Sequence, residues 1–161
     1  MKYSKVIIGG ITATAVMTVF MLLGPLFNMP RIDAGAMLGT LFNDNQLAGW
    51  TLHFLIGIIF AFFYALIFNG WLPVINHVAR GAIYGIIVLV FSQAAFTVIN
   101  LAGFFSWEMK EGMAMTIFGY MLACFIYGAV LGGVMKQYQI DNGLDWEKKR
   151  YFWRYLKPKK A

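Results

Sequence analysis

Four long stretches of this chain carry no lysine, arginine, aspartate or glutamate: residues 6–30, 47–79, 81–107 and 112–135. A bilayer core about 30 Å thick needs about 20 apolar residues of helix, so each stretch is long enough to cross. The second is too long for one straight helix. Asn69-Gly70-Trp71-Leu72-Pro73 supplies a turn and a breaker that end it near Phe68. Of 161 residues, 60% are hydrophobic and 12% charged, against about 45–50% and about 25% in soluble domains. Such a composition excludes disorder, which needs low hydrophobicity and high charge. It also excludes a disulfide scaffold, because Cys124 is the only cysteine. The expected fold is all-α: an integral membrane bundle of four transmembrane helices within residues 1–137. The spans are placed near 6–27, 47–68, 80–102 and 112–135, followed by a tail over 138–161.

The first span superficially resembles a secretion signal, with Lys2 and Lys5 ahead of an apolar run and a Thr12-Ala13-Thr14-Ala15 stretch. Its run continues to Phe27, beyond the usual 7–15 residues of a signal core, so a retained helix is expected.

Charge sets the orientation. With four spans, the N-terminus, the 69–80 loop and the tail share one side. That side holds Lys2, Lys5, Arg80, Lys136, Lys148, Lys149, Arg150, Arg154, Lys157, Lys159 and Lys160, and the other only Arg31 and Lys110. Basic residues concentrate on the cytoplasmic side, so both termini are expected in the cytoplasm. In the tail they alternate with aromatic residues. A helix carrying Trp146, Lys149, Arg150, Trp153 and Arg154 suits the headgroup region of the bilayer, so the expected partner of this ribbon is lipid and not nucleic acid.

Helices in lipid associate through small residues that let backbones approach. Gly81 with Gly85, Gly128 with Gly132, Gly57 with Ala61, and Gly119 with Ala123 are spaced for this, either within the chain or against a partner. The second and fourth spans share a pattern, Leu55-Ile56-Gly57-Ile58-Ile59-Phe60-Ala61 beside Phe125-Ile126-Tyr127-Gly128-Ala129-Val130. It suggests a duplicated two-helix hairpin in parallel repeat. In the first loop, Asp33 is expected to cap a short helix with Met37, Leu38, Leu41 and Phe42 on one face, lying on the outer surface or leaning over the bundle.

Gly49-Trp50-Thr51-Leu52-His53-Phe54, continuing to Gly57, Phe60-Ala61 and Tyr64, resembles the motif of a family of small uncharacterised bacterial four-helix inner-membrane proteins. Met29-Pro30 with Asp33, and Arg80-Gly81-Ala82, fit the same family. The resemblance covers most of residues 5–135 and leaves out the tail. It implies the four-helix fold and a bacterial inner membrane, and no catalytic activity.

Candidate chemistry centres on His53, which lies about 9 Å along the second span from Leu47. An ionisable group at that depth is a functional candidate, set against a neutral imidazole bonded inside the bundle near Trp50. His53 and His77 lie on opposite sides of the membrane and cannot share a haem iron within one chain; a His/Met haem stays open. Met21, Met29, Met37, Met109, Met113 and Met115 gather toward the outer side. His53 with Met109, Met113 and Met115 is a candidate Cu(I) set, because imidazole and thioether ligands suit that ion, and packing is the alternative for the same methionines. Gln93, Thr97 and Asn100 at i, i+4, i+7 form a polar stripe with Tyr120 on the facing helix, alongside Thr116, Cys124 and Tyr127, and with Thr14 and Thr18 on the first. These are expected to face inward, as cross-helix glue or as a small polar pathway. No carboxylate or basic group lies in mid-membrane to serve a coupled pump, and no nucleotide, hydrolase or metalloprotease motif is present, so no enzyme is expected.

The leading expectation is a non-catalytic accessory or scaffolding subunit of a larger membrane complex, with a respiratory complex as one candidate. A small channel or transporter using the polar stripe is the first alternative. A copper- or haem-handling protein built on His53 and the methionines is the second.

Overall fold

The computed structural model describes residues 3–66, 76–101 and 113–141. These residues form helices α1 (Tyr3–Leu22), α2 (Ala34–Gly39), α3 (Gln46–Leu66), α4 (His77–Leu101) and α5 (Met113–Asp141), with no strand among them. Short 3-10 turns at Gly24–Phe27 and Thr40–Phe42 flank α2. Tyr3–Leu22, Gln46–Leu66, His77–Ile99 and Met115–Lys136 are long and apolar enough to cross a membrane. The chain is an all-α protein with four candidate membrane spans.

α1 ends at Leu22, short of the expected 27. Pro25 sits in the first turn of the 3-10 segment, where its ring blocks continuation of an α-helix. Asn28 takes a left-handed conformation (φ 55°) and its N–H donates to the Pro25 carbonyl oxygen, turning the chain back. The predicted interfacial helix with Trp146, Lys149, Arg150, Trp153 and Arg154 lies outside the described residues.

Two tight antiparallel pairs build the bundle. In the first, Gly10 and Thr14 of α1 meet Gly57 and Ala61 of α3; a Cβ on Gly57 would strike the Thr14 hydroxyl. In the second, Gly81 and Gly85 of α4 meet Cys124, Gly128 and Gly132 of α5. A Cβ on Gly81 would strike the Gly128 carbonyl oxygen, and one on Gly128 would strike that of Gly81. The backbones therefore touch, which small residues permit and which supplies most of the attraction between helices in lipid. α1 joins the pairs by packing on α5, where Val6, Leu131 and Met135 are buried together. The order around the bundle is α3, α1, α5, α4.

α4 and α3 close the ring differently. Their backbones stay apart, and at the end holding the N-terminus tyrosines bridge the space. The Tyr84 hydroxyl donates to the Phe60 carbonyl oxygen at 2.7 Å, and its ring meets Tyr64 edge-on at 5.1 Å. Arg80, at the expected start of the third span, stands in the first turn of α4 with its side chain buried. The outward faces carry Ile8, Val19, Ile59, Val90, Val98 and Ile117, all exposed. Apolar side chains on every outward face leave lipid as their solvent.

Candidate functional site

The opposite end of the bundle holds a polar cluster that borders open space. Its construction starts in the first loop. The Asp33 carboxylate accepts the Ala36 N–H at 2.9 Å and so caps α2. Ile32 fixes the approach by donating its N–H to the Met21 carbonyl oxygen at the end of α1. α2 then lies directly on the start of α3, because Gly49 offers no side chain there; a Cβ would strike the Gly35 carbonyl oxygen. The Trp50 ring covers Gly35 in the same way. Ile32, Ala34 and Leu38 are buried by this arrangement, so the loop leans over the bundle.

His53 follows one turn below. Its ring stands edge-on to Trp50 and to Phe54, each at 5.9 Å, and its Nε2 shares a 3.1 Å hydrogen bond with the Thr18 hydroxyl of α1. Thr18 thus anchors the imidazole across the α1–α3 pair. The motif Gly49-Trp50-Thr51-Leu52-His53-Phe54 has a physical reading: a glycine admits the loop helix, a tryptophan holds it down, and a histidine one turn further in meets the neighbouring span.

Below α2, a cavity of about 250 Å³ separates α3 from α4. His53, Ile56 and Phe60 line it from α3, Phe91, Ser92 and Phe96 from α4, and Tyr120 from α5. Met21, Met37 and Leu38 form its roof. A second space of about 50 Å³ continues toward Thr14 and Tyr127, again bordered by His53, Ser92 and Tyr120. Most polar groups here are already engaged. Ser92 donates to the Val88 carbonyl at 2.8 Å, Thr14 to Gly10 at 2.8 Å, and Tyr127 to Gly57 at 2.6 Å. Tyr120 lies within side-chain hydrogen-bonding reach of Ser92 and Cys124. The nitrogen of His53 that Thr18 does not use has no partner among the described residues.

The expected polar stripe divides. Tyr120, Cys124 and Tyr127 of α5 face inward, with Cys124 and Tyr127 buried. Gln93 and Thr97 of α4 are exposed on the outside of the bundle, contrary to the inward placement expected of them. The cause is rotational: Gly81, Gly85, Val88 and Ser92, at spacings of three to four residues, turn one face of α4 inward. Gln93 falls about 100° round from Ser92. Thr97 satisfies its own hydroxyl by donating to the Gln93 carbonyl oxygen at 2.8 Å. The Asn100 side chain lies outside the described residues. Gln93 and Thr97 therefore add nothing to the interior polar groups around His53, Ser92 and Tyr120.

The candidate copper ligands do not assemble around His53 among the described residues. Met115 is half exposed and does not line the cavity. Met109 and the side chain of Met113 lie outside the described residues. The methionines that do share the cavity with His53 are Met21 and Met37, placed there by the chain reversal after α1. The sequence singles out Phe60 only as part of a motif, and gives Ser92, Phe91 and Phe96 no role at this site. The available signal for Phe60 and Ser92 is their spacing from Gly57 and from Gly85 along α3 and α4.

These features define a small multi-pass membrane protein, a four-span bundle roofed at one end by a loop helix over a side cavity. The chain belongs to the family described as a family of unknown function (DUF6789), which matches residues 1–144. No curated protein matches the chain. No solved structure matches it either.

Proposed function

We propose that this chain is a non-catalytic accessory subunit of the bacterial inner membrane, docked against a larger membrane complex through the outer face of α4. Gln93 carries the reading. It is exposed, about 12 Å from the Leu101 end of a helix about 36 Å long, a third of the way along it and within the hydrocarbon depth. Its amide makes no side-chain hydrogen bond among the described residues. An unsatisfied amide in hydrocarbon costs several kcal/mol, about the cost that drives polar side chains in spans to seek partners on neighbouring helices. Val90 and Ile86, one and two turns before it, give that face an exposed apolar surface. The matching surface is a transmembrane helix that offers an amide or hydroxyl opposite Gln93.

The excess of basic residues at the end holding the N-terminus supports cytoplasmic termini, and the roofed cavity then faces the periplasmic half of the bilayer. The test is purification of the tagged chain from native membranes in a gentle detergent, with stoichiometry by mass spectrometry. Support is a heteromeric complex of fixed composition that Gln93→Leu releases while the variant stays folded. Recovery of the wild-type chain alone, or a complex indifferent to Gln93→Leu, overturns the reading.

A further inference from the structure

The geometry points to a binding site for a lipophilic quinone, a flat ring bearing carbonyl oxygens on a long apolar tail, in the cavity between α3 and α4. Three observations converge on that chemistry.

The first is volume and access. An apolar cavity of about 150 Å³ already admits benzene, so about 250 Å³ accepts a substituted ring. The cavity is not sealed. α3 and α4 do not pack against each other here, and Phe91, 62% exposed, stands at the mouth. Phe91 is ten residues from the end of α4, about 15 Å into the membrane, so the mouth opens to hydrocarbon and not to water. What enters must already be dissolved in the bilayer, and a tail attached to the bound ring can remain there.

The second is the wall. Phe60, Phe91, Phe96 and Tyr120 surround the space from three helices. Aromatic side chains favour a flat ring through edge-to-face or offset contacts at centroid separations of about 4.5–7 Å. A saturated acyl chain gains nothing comparable from them.

The third is a polar group left unspent among the described residues. Thr18 holds one nitrogen of His53 and fixes the ring, and the other has no partner among the described residues while the ring lines the cavity. When Nε2 accepts the Thr18 hydroxyl proton, the other ring nitrogen carries a hydrogen and donates to a ring carbonyl; when Nε2 donates, that nitrogen accepts from the hydroxyl of the reduced ring. The oxidised and reduced forms of a quinone each match one of the two tautomers. The neighbouring hydroxyls of Ser92, Thr14 and Tyr127 already spend their protons on backbone carbonyls, and that of Tyr120 is within reach of Ser92 and Cys124, so specificity falls to the imidazole.

The experiment extracts the full chain from native membranes into polymer-bounded lipid discs and quantifies bound small molecules by mass spectrometry. Saturable binding of decylubiquinone and menaquinone-4 is then measured on the same preparation. Two variants are compared: His53→Phe, which keeps a ring but removes the nitrogens, and Ala95→Phe, which fills the cavity from an exposed position on α4. The expected result is about one quinone per chain and saturable binding of at least one probe, weakened at least tenfold in both variants. The Ala95→Phe protein should retain the wild-type melting profile. Recovery of phospholipid alone, absence of saturable binding to both probes, or binding that survives either substitution overturns the assignment.

Discussion

The Tyr127 hydroxyl of α5 donates to the Gly57 carbonyl oxygen of α3 at 2.6 Å, a buried bond between residues 70 positions apart. It reaches the point where Gly57 already meets Thr14, so α1, α3 and α5 are tied together at one level. The bond is possible because Gly57 leaves its carbonyl uncovered by a side chain. It forms the floor below the His53 cavity, and Tyr127 borders the deeper of the two spaces.

Tyr127→Phe keeps the ring and removes only the hydroxyl. Cross-helix hydrogen bonds in membrane proteins average about 0.6 kcal/mol and reach about 1.7. A value toward the high end is expected here, because the bond is buried and the Gly57 carbonyl has no other side-chain donor among the described residues. A shift of about 1 kcal/mol lowers the melting midpoint of a chain this size by about 2–4 °C, by analogy with soluble domains. The check is a thermal melt in detergent beside Tyr3→Phe, whose ring is exposed. Equal midpoints for Tyr127→Phe and wild type would remove the bond from the account.

The glycines of the α4–α5 pair separate by what surrounds them. A Cβ at Gly81 would strike the backbone of Gly128, which cannot swing aside, whereas one at Gly133 would meet only a Val78 methyl at 3.9 Å, an ordinary contact. Gly81→Ala should therefore destabilise by about 1–3 kcal/mol or more through overpacking. Gly133→Ala should be neutral or slightly stabilising. Both follow from the yield of folded protein and its melting midpoint; a neutral Gly81→Ala contradicts the close approach.

How far the sequence discloses this molecule depends on the kind of force involved. The spans are legible because the bilayer imposes a length, and four uncharged stretches satisfy it. Gly81, Gly85, Gly128 and Gly132 are legible as packing residues because close approach in lipid needs small side chains, although their mutual pairing is not. The cap at Asp33 is legible from local chemistry alone. The inward face of α4 is not. Its hydrophobicity is nearly uniform around the helix, so nothing local distinguishes the side bearing Ser92 from the side bearing Gln93. Polarity suggested that Gln93, Thr97 and Asn100 turn inward. Backbone contact at Gly81 and Gly85 fixes the rotation instead and leaves Gln93 outside. The cavity is likewise invisible in the sequence, since it exists where α3 and α4 fail to touch.

Asp33→Ala tests whether α2 is held locally. The substitution removes the bond to the Ala36 N–H, a 3.4 Å bond from the Gln46 amide at the start of α3, and the Arg31–Asp33 contact at 3.8 Å, the last between partly exposed groups and worth little. Loss of an N-cap costs about 0.5–2 kcal/mol. Because α2 is only six residues long, that is enough to loosen the roof without unfolding the spans. Hydrogen exchange should quicken at residues 34–39 and stay slow in α1 and α3. Uniform quickening across the bundle would show that the cap supports the whole fold.

The orientation can be read with topology reporters. Alkaline phosphatase, which is active only outside the cytoplasm, should be active when fused after Asn45, beyond α2, and inactive when fused after Lys136. A fluorescent protein that matures in the cytoplasm should give the reverse pattern. The charge argument makes this asymmetric: Lys5 and Lys136 flank one end of the bundle, where Arg80 is buried, while Arg31 is the only basic residue among the described residues at the other. Substituting Lys5 and Lys136 by glutamine should therefore raise phosphatase activity at the Lys136 fusion, by letting a fraction of chains insert inverted. An inverted pattern in the wild-type chain would instead place the cavity in the cytoplasmic half of the bilayer. His53 and its aromatic walls would then meet ligands from that leaflet.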